Sequence, residues 1–445
     1  MKQHKIVYFS PLKPIKSGIS DYSSTLLKKL VNDFEITVVT DGYTPSSETI
    51  PDNIKIQDFQ KIKDLGEYMK QFDLPIYHMG NNKLHNYIYE TLQKFPGITV
   101  MHDYAIHHRL ADSTLGQGKF DEYMNEINQC GLEITGESRE NLSKKFDPLF
   151  FLWTKKALQY PMNEKVIASS LGIITHSDFC KNKIIKNKYA PSVSVIPMFI
   201  EKSKKIGNNS SNKITIGCFG DVVPNKRLKT IIKAFSKILN NTTTKNTKLI
   251  IVGNNSNKEY FKKLKQLINK LKIEQNIEFT GYVSEKKYNS ILESTDICIN
   301  LRYPSVGETS LCLLNILAYS KPCIVTKTGW YAELPDDVVI KISTPQNNNN
   351  EKNELKKALE SLIVNNEKRE EMAKTSYNYI KSNHNLDAIS KQYANYINKI
   401  INHKELKKKL LTSLSKKMND IQINPSKHPF LIKGLANTLE ETIKS

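Results

Sequence analysis

The chain lacks long hydrophobic runs and paired cysteines. Of its 445 residues 39% are hydrophobic, yet no stretch approaches the roughly 18 uninterrupted apolar residues of a membrane-spanning helix. Six cysteines, at 130, 180, 218, 298, 312 and 323, are scattered without a Cys-x-x-Cys pair, and four lie in apolar stretches. Reduced, buried thiols are expected, rather than disulfides or a zinc site. The opening "MKQHKIVYFSPLKP" has neither an apolar signal core nor a small-residue cleavage site. It reads as a basic start, a short strand and a proline turn, so a cytoplasmic protein is expected. No ladder of alternating aromatic and basic residues stands out, so no nucleic-acid partner is expected. His102, Asp103, His107 and His108 cluster in "HDYAIHH", but no further ligand follows at a suitable spacing. No metal is therefore expected.

Acidic residues are short in one half only. The net charge is +20 from 65 Lys+Arg and 45 Asp+Glu. Residues 1–200 hold 24 basic and 22 acidic residues, a net of +2, and residues 201–445 hold the remaining 41 and 23, a net of +18. Such asymmetry reads either as an anionic partner for the second half or as compositional drift toward lysine.

A β-α-β rhythm runs through both halves. Strands are expected at "KIVYFS" (5–10), "EITVVT" (35–40), "LPIYHMG" (74–80), "GITVMHD" (97–103), "LGIITHS" (171–177) and "SVSVIPM" (192–198). Amphipathic helices fall between them at 20–33 and 83–95. After the polar, aperiodic "EKSKKIGNNSSN" (201–212) the rhythm restarts with strands at 213–220, 247–253, 276–283, 296–301, 321–326 and 338–343. This pattern predicts two doubly wound parallel sheets in tandem. Residues 104–165 interrupt the first rhythm with helical stretches and the aromatic "FDPLFFLWTKKALQY" (146–160), read as a packed helix face or as an acceptor or membrane-surface patch. An Asn tract at 347–350 reads as a surface loop, and the chain from about 351 onward as helical.

Ligands of open α/β sheets sit beyond the carboxyl ends of the strands. Beyond the first strand, Ser17-Gly18 precede a helix that Ser20 or Asp21 would cap, and Gly18 lets backbone approach a phosphate or a sugar, or simply makes a turn. Beyond the strand at 97–103, His102 and Asp103 are placed to hydrogen-bond hydroxyls or to shuttle a proton. Beyond 213–220, Lys226 and Arg227 stand at a helix start, where cations are unfavourable without an anion; a pyrophosphate clamp follows. Beyond 296–301 comes "RYPSVGETS": Arg302 leaves the strand, Gly307 turns, and Glu308, Thr309 and Ser310 open the next helix. Amides near 309–311 would face an anion, while Glu308 accepts from sugar hydroxyls or caps its own helix.

In order and spacing, "GCFGDVVPNKRLKTIIKAF", "LIIVG", "IEFTGYVSEKKYNSILESTDICINLR" and "GETSLCLLNILAYSKPCIVTKTGWYAELPDD" resemble the nucleotide-sugar domain of the retaining family-4 glycosyltransferases (glycosyl transferases group 1). "FSPLKPIKSGISDYS", "PIYHMGNN", "PGITVMHDYAIHH" and "GIITHSDFC" resemble the acceptor domain of the same family, so the resemblance spans about 5–400. It implies the GT-B architecture, two Rossmann-like domains facing across a cleft. The implied domains are 1–200 (acceptor side, with the helical insertion at 104–165), 201–373 (nucleotide sugar) and 374–445 (helices partly packing back on the first). It also implies a UDP- or GDP-linked sugar donor, no other cofactor, and a glycan or lipid-linked acceptor. Polysaccharide or cell-envelope synthesis follows, and the basic second half with the aromatic 146–160 segment reads as peripheral association at an anionic membrane face. In that picture Gly18 faces the donor phosphates, and His102, supported by Asp103, contacts the donor sugar. Lys226, Thr309 and Ser310 hold the diphosphate. The chain departs from the family pattern at the first basic position, occupied by Asp221, and at both of two glutamates, where Gly307 and Asn315 stand, with Glu308 displaced by one. Arg227 or Arg302 would supply the missing charge, and Asn315 would hydrogen-bond the ribose. The alternatives are a non-catalytic subunit of a glycosyltransferase complex and a phosphorylase or epimerase of the same architecture.

Overall fold

The computed structural model describes residues 3–129, 156–204, 213–240, 246–345 and 350–420. Most of the aromatic stretch at 146–160, the end of the 201–212 linker, the Asn tract at 347–349 and the end of the 374–445 segment lie outside the described residues.

Two wholly parallel sheets form the frame. The first contains β1 (His4–Phe9), β2 (Phe34–Thr40), β3 (Lys55–Asp58), β4 (Leu74–Met79), β5 (Gly97–Met101), β6 (Ser170–Thr175) and β7 (Ser192–Val195), in the order β3-β2-β1-β4-β5-β6-β7. The second contains β8 (Ile214–Phe219), β9 (Thr247–Val252), β10 (Ile277–Gly281), β11 (Ile297–Asn300), β12 (Cys323–Thr326) and β13 (Ile340–Ile342), in the order β10-β9-β8-β11-β12-β13. Central strands such as β4 are buried along their whole length, which is why they read as continuous apolar runs. β3 was not expected. Its sequence KIQD mixes polar and apolar residues, as suits an edge strand with two exposed positions. In each sheet the order reverses between the first strand and its later neighbour, at β1/β4 and at β8/β11, opening a crevice beyond the strand ends.

Helices cover both sheets. α1 (Gly18–Leu30) starts at Ser17, whose hydroxyl accepts from the Ser20 amide at 3.0 Å. Ser17 is therefore the cap, in place of the expected Ser20 or Asp21. After α2 (Leu65–Met69) and α3 (Asn86–Lys94), the helical interruption beyond β5 holds α4 (His107–Ser113), α5 (Phe120–Gln129), α6 (Lys156–Gln159) and α7 (Glu164–Ser169) among the described residues. α8 (Asp178–Ile184) follows β6. The second sheet carries α9 (Leu228–Leu239), α10 (Lys258–Leu271), α11 (Glu285–Ser294), α12 (Leu311–Ala318), α13 (Asn350–Val364) and α14 (Asn366–Asn383).

The last helix, α15 (Leu386–Asp420), returns to the first domain. Tyr22 of α1 donates to the Tyr393 hydroxyl at 2.8 Å. The Tyr396 hydroxyl donates to Ser192 O at 2.6 Å and accepts from the Ile173 amide at 3.1 Å. Gly172 permits this approach, since a Cβ there would lie 2.7 Å from the Tyr396 oxygen. Lys404 reaches the Asp73 carbonyl at 2.7 Å. None of the described helices is long and apolar enough to cross a membrane.

Candidate active site

The crevices of the two sheets face each other, and the residues singled out from the sequence fall on their walls. β8 leads through Gly220 to a short turn, Pro224–Lys226, with Arg227 in a left-handed conformation (φ 59°) capping α9. Lys226 folds back over the end of β8, where a Cβ on Gly220 would lie 3.3 Å from its Nζ. It lines a small recess with Phe219, Gly220, Asn300 and Leu301. Among the described residues no carboxylate lies within ion-pair distance of Lys226. Burial, then the charge of Arg302, brings its pKa down to about 8. Arg227, expected at the diphosphate, is engaged elsewhere. Its Nε lies 3.0 Å and its second amino nitrogen 2.6 Å from the oxygens of Glu351, whose side chain is only 2% exposed and also accepts from Thr230 at 3.0 Å. This bidentate pair fastens the first turn of α13 to the start of α9.

β11 delivers Arg302 to the cleft. Its amide donates to Thr326 Oγ1 at 3.2 Å, and its Nε lies 2.9 Å from Glu308 Oε1 and 3.5 Å from the Tyr331 hydroxyl. Burial works against the guanidinium charge, but Tyr331 and Glu308 outweigh it and raise the pKa. Tyr331 in turn donates to Asn300 Oδ1 at 3.2 Å. The second oxygen of Glu308 accepts from the Ser305 hydroxyl and the Val306 amide, both at 2.8 Å. Glu308 thus closes its own loop and does not cap a helix. α12 begins at Leu311, and its cap is Ser310, whose hydroxyl accepts from the Leu313 amide at 3.2 Å. Thr309 lies just ahead of that cap, and Asn315 stands half-buried in the helix behind it. Gly18, at the start of α1, is exposed and faces open space.

His102 differs from expectation. Its side chain turns into the domain, where Nε2 lies 2.9 Å from His78 Nδ1 and Nδ1 lies 3.2 Å from His176 Nε2. Both ring nitrogens are spent on other imidazoles, and burial, followed by those neighbours, holds its pKa well below the usual histidine value. Asp103 instead belongs to the cleft wall. Burial, then Glu308, pushes its pKa up to about 7, against the opposing pull of Arg302. His107 is also committed, lying 2.6 Å from Tyr160 O and 2.6 Å from the Tyr123 hydroxyl.

The walls touch. The Ala105 amide donates to Val306 O at 2.9 Å, and the Cys180 thiol to Gly307 O at 2.8 Å. Glu333 accepts from the first amides of α8, at Asp178 (3.3 Å) and at Phe179. Gly307 has φ +87°, and a Cβ on it would lie 2.5 Å from the Tyr104 Cβ of the other domain. Asn300, Ser305, Tyr331 and Glu333 escaped the sequence reading. Tyr331 and Glu333 lie in "GWYAELPDD", where only their position after a strand offered a signal.

Two Rossmann-like domains facing across a cleft, joined by one connection and a returning helix, define the GT-B architecture. Residues 199–379 match the family model described as Glycosyl transferases group 1. Solved structures share the whole fold at low identity. HepE of Anabaena, in complex with UDP and glucose, is 14% identical, with 89% of this chain and 100% of that chain covered and a TM-score of 0.59. Sucrose-phosphate synthase from Thermosynechococcus elongatus is 13% identical over 89% and 99% of the two chains, TM-score 0.61. WaaG, a glycosyltransferase involved in lipopolysaccharide biosynthesis, is 15% identical over 88% and 99%, TM-score 0.58. No curated protein matches the sequence.

Proposed function

We propose that the protein transfers a sugar from a nucleotide-diphosphate donor, UDP- or GDP-linked, to a glycan or lipid-linked acceptor with retention at the anomeric carbon. One observation carries the reading. A half-buried ammonium with no carboxylate partner among the described residues, Lys226, stands beside the guanidinium of Arg302 at the β8/β11 reversal, across from Asp103 of the opposing domain. An ammonium so desolvated needs an anion, and a leaving diphosphate supplies one. Lys226 and the amides around 309–311 stabilise the charge that develops on the leaving oxygen, the preorganised electrostatic contribution expected to dominate such a transfer. Thr309 and the Ser310 hydroxyl flank that anion. Glu308 and Asp103 face the sugar and its hydroxyls. Asp103, with a pKa near 7, moves a proton readily at neutral pH. The reaction runs through an oxocarbenium-like state on the donor face, with no covalent bond to the chain. Asn315 is placed to hydrogen-bond the ribose. The domain contacts at Val306, Gly307 and Glu333 exclude water when the cleft is shut. HepE, crystallised with UDP and glucose, supports the donor class by analogy of fold.

The experiment is a panel of UDP-, GDP- and ADP-sugars, scored for thermal stabilisation and nucleotide release. Saturable release with one donor is expected, and saturation by none would sink the reading. A second reading, a non-catalytic subunit, is favoured by Asn315 standing in a carboxylate's place and by Arg227 being locked to Glu351. It predicts nucleotide binding without release. Peripheral action at the cytoplasmic face of an anionic membrane accords with the +18 of residues 201–445. Co-sedimentation with anionic liposomes at low salt tests it, and no binding there would count against it.

A further inference from the structure

The first domain contains a line of buried histidines that the transfer chemistry does not touch. His176 follows β6, and its Nδ1 lies 2.8 Å from the carbonyl oxygen of Ile196. A carbonyl only accepts, so Nδ1 carries the ring hydrogen. Burial holds the pKa of His176 at about 4, so the ring is neutral and its Nε2 is a bare acceptor. His102 Nδ1, 3.2 Å away, must therefore donate to it. His102 is neutral for the same reason, and its Nε2 in turn accepts from His78 Nδ1 at 2.9 Å. One backbone carbonyl thus sets the tautomer of three rings in succession. Tyr22 packs edge-on against His102 and His176, fixing their planes.

That carbonyl belongs to the segment joining the two domains. Within 196–200, the Ile196 amide donates to Thr175 O at 2.8 Å, Met198 O accepts from His384 Nδ1 at 2.5 Å, and the Ile200 amide donates to His384 O at 2.9 Å. Ile200 also bridges Asn385, so both crossings between the domains meet there. In the middle of the line, His102 is followed directly by Asp103, on the cleft wall. Ala105 then binds Val306 of the opposing domain.

We propose that His176 is a positioning residue for the transfer site, tying the inter-domain segment to the 102–105 loop through the ring of His102. A shift of the connecting segment on domain closure moves Ile196 O, and the line carries that shift to the backbone presenting Asp103. The inference rests on the transfer reaction proposed above.

His176→Gln and His176→Asn in the full chain separate this role from simple packing. Glutamine reaches only the Nε2 place, where its carbonyl accepts from His102, and it loses the bond to Ile196. Asparagine reaches only the Nδ1 place, keeps the bond to Ile196 and leaves His102 without its acceptor. Each variant breaks one end of the tie, so kcat is expected to fall about tenfold in both, as for loss of one buried hydrogen bond. The donor KM should be unchanged in both. An unchanged kcat in either variant, or a rise in donor KM that accounts for the loss, overturns the proposal. Nitrogen-15 spectra of the wild-type histidines test it without any variant. Protonated Nδ1 and bare Nε2 are expected at positions 78, 102 and 176, and an Nε2–H tautomer at any of them breaks the line. Failure of the wild type to release nucleotide from any donor would refute the parent function, while these spectra would still decide the hydrogen-bond line.

Discussion

Lys226 shows how a functional residue can work against its own fold. Its ammonium is desolvated and its pKa of about 8 lies below the usual lysine value of 10.5. Folding therefore penalises the charged form at every pH below about 8, and the penalty is relieved as pH rises from 8 toward 10.5. Lys226→Met is expected to raise the melting temperature of the donor-free protein by roughly 1–3 °C while abolishing stabilisation by UDP or GDP, read by thermal shift. In the wild type, nucleotide affinity should weaken as pH passes upward through 8, measured by calorimetry. Glu308 makes an opposite prediction. It neutralises Arg302 in the donor-free cleft, so Glu308→Gln should bind nucleoside diphosphate about three- to tenfold more tightly while turning over donor more slowly. Equal weakening of both would show that Glu308 does not restrain Arg302. At this scale Lys226, Arg302 and Glu308 were legible because each follows a strand at its carboxyl end. The diversion of Arg227 was not, because its partner Glu351 lies 124 residues away and no local pattern announces it. The inward turn of His102 was hidden for the same reason: His78 and His176 sit on other strands' ends.

Among the elements, the loop from β11 to α12 does most to shape the cleft. Its glycine is constrained twice, by φ +87° and by the 2.5 Å approach that a Cβ would make to Tyr104. Gly307→Ala should cost about 1–3 kcal/mol in backbone strain and press the two walls apart. A fall in kcat/KM of about tenfold or more is expected, since a misplacement near 1 Å can cost that much and more. Retention of full kcat/KM would show that the contact at Tyr104 does not set the cleft. The strands were legible from their apolar runs, to within a few residues at each end. β3 was missed because an exposed edge strand carries little apolar signal, and the start of α12 because Glu308 looks like a cap in sequence while Ser310 holds the position in space.

For the whole molecule, the alternation of strands and helices was enough to give two parallel sheets, since parallel strands need crossovers and crossovers bury both faces. How the domains are held together was less visible, because the hydroxyls of Tyr393 and Tyr396 meet residues more than 200 positions earlier. Tyr396→Phe removes the partner of the buried Ile173 amide and of Ser192 O, and should cost about 1–3 kcal/mol of stability. A lowered melting temperature with unchanged donor KM is expected. A change in KM alone would mean that α15 acts on the cleft rather than on the frame.

The returning helix also sets a schedule. Strands β1 to β7 are all made by residue 195, but the surface formed by Tyr22, Gly172 and Ile173 is covered only when residues 386–404 arrive. At ribosomal rates of about 5–20 residues per second, that leaves the first domain waiting roughly 10–40 s for its last piece. The half of the protein that is translated first is thus the half that is finished last, and until then that face stays open.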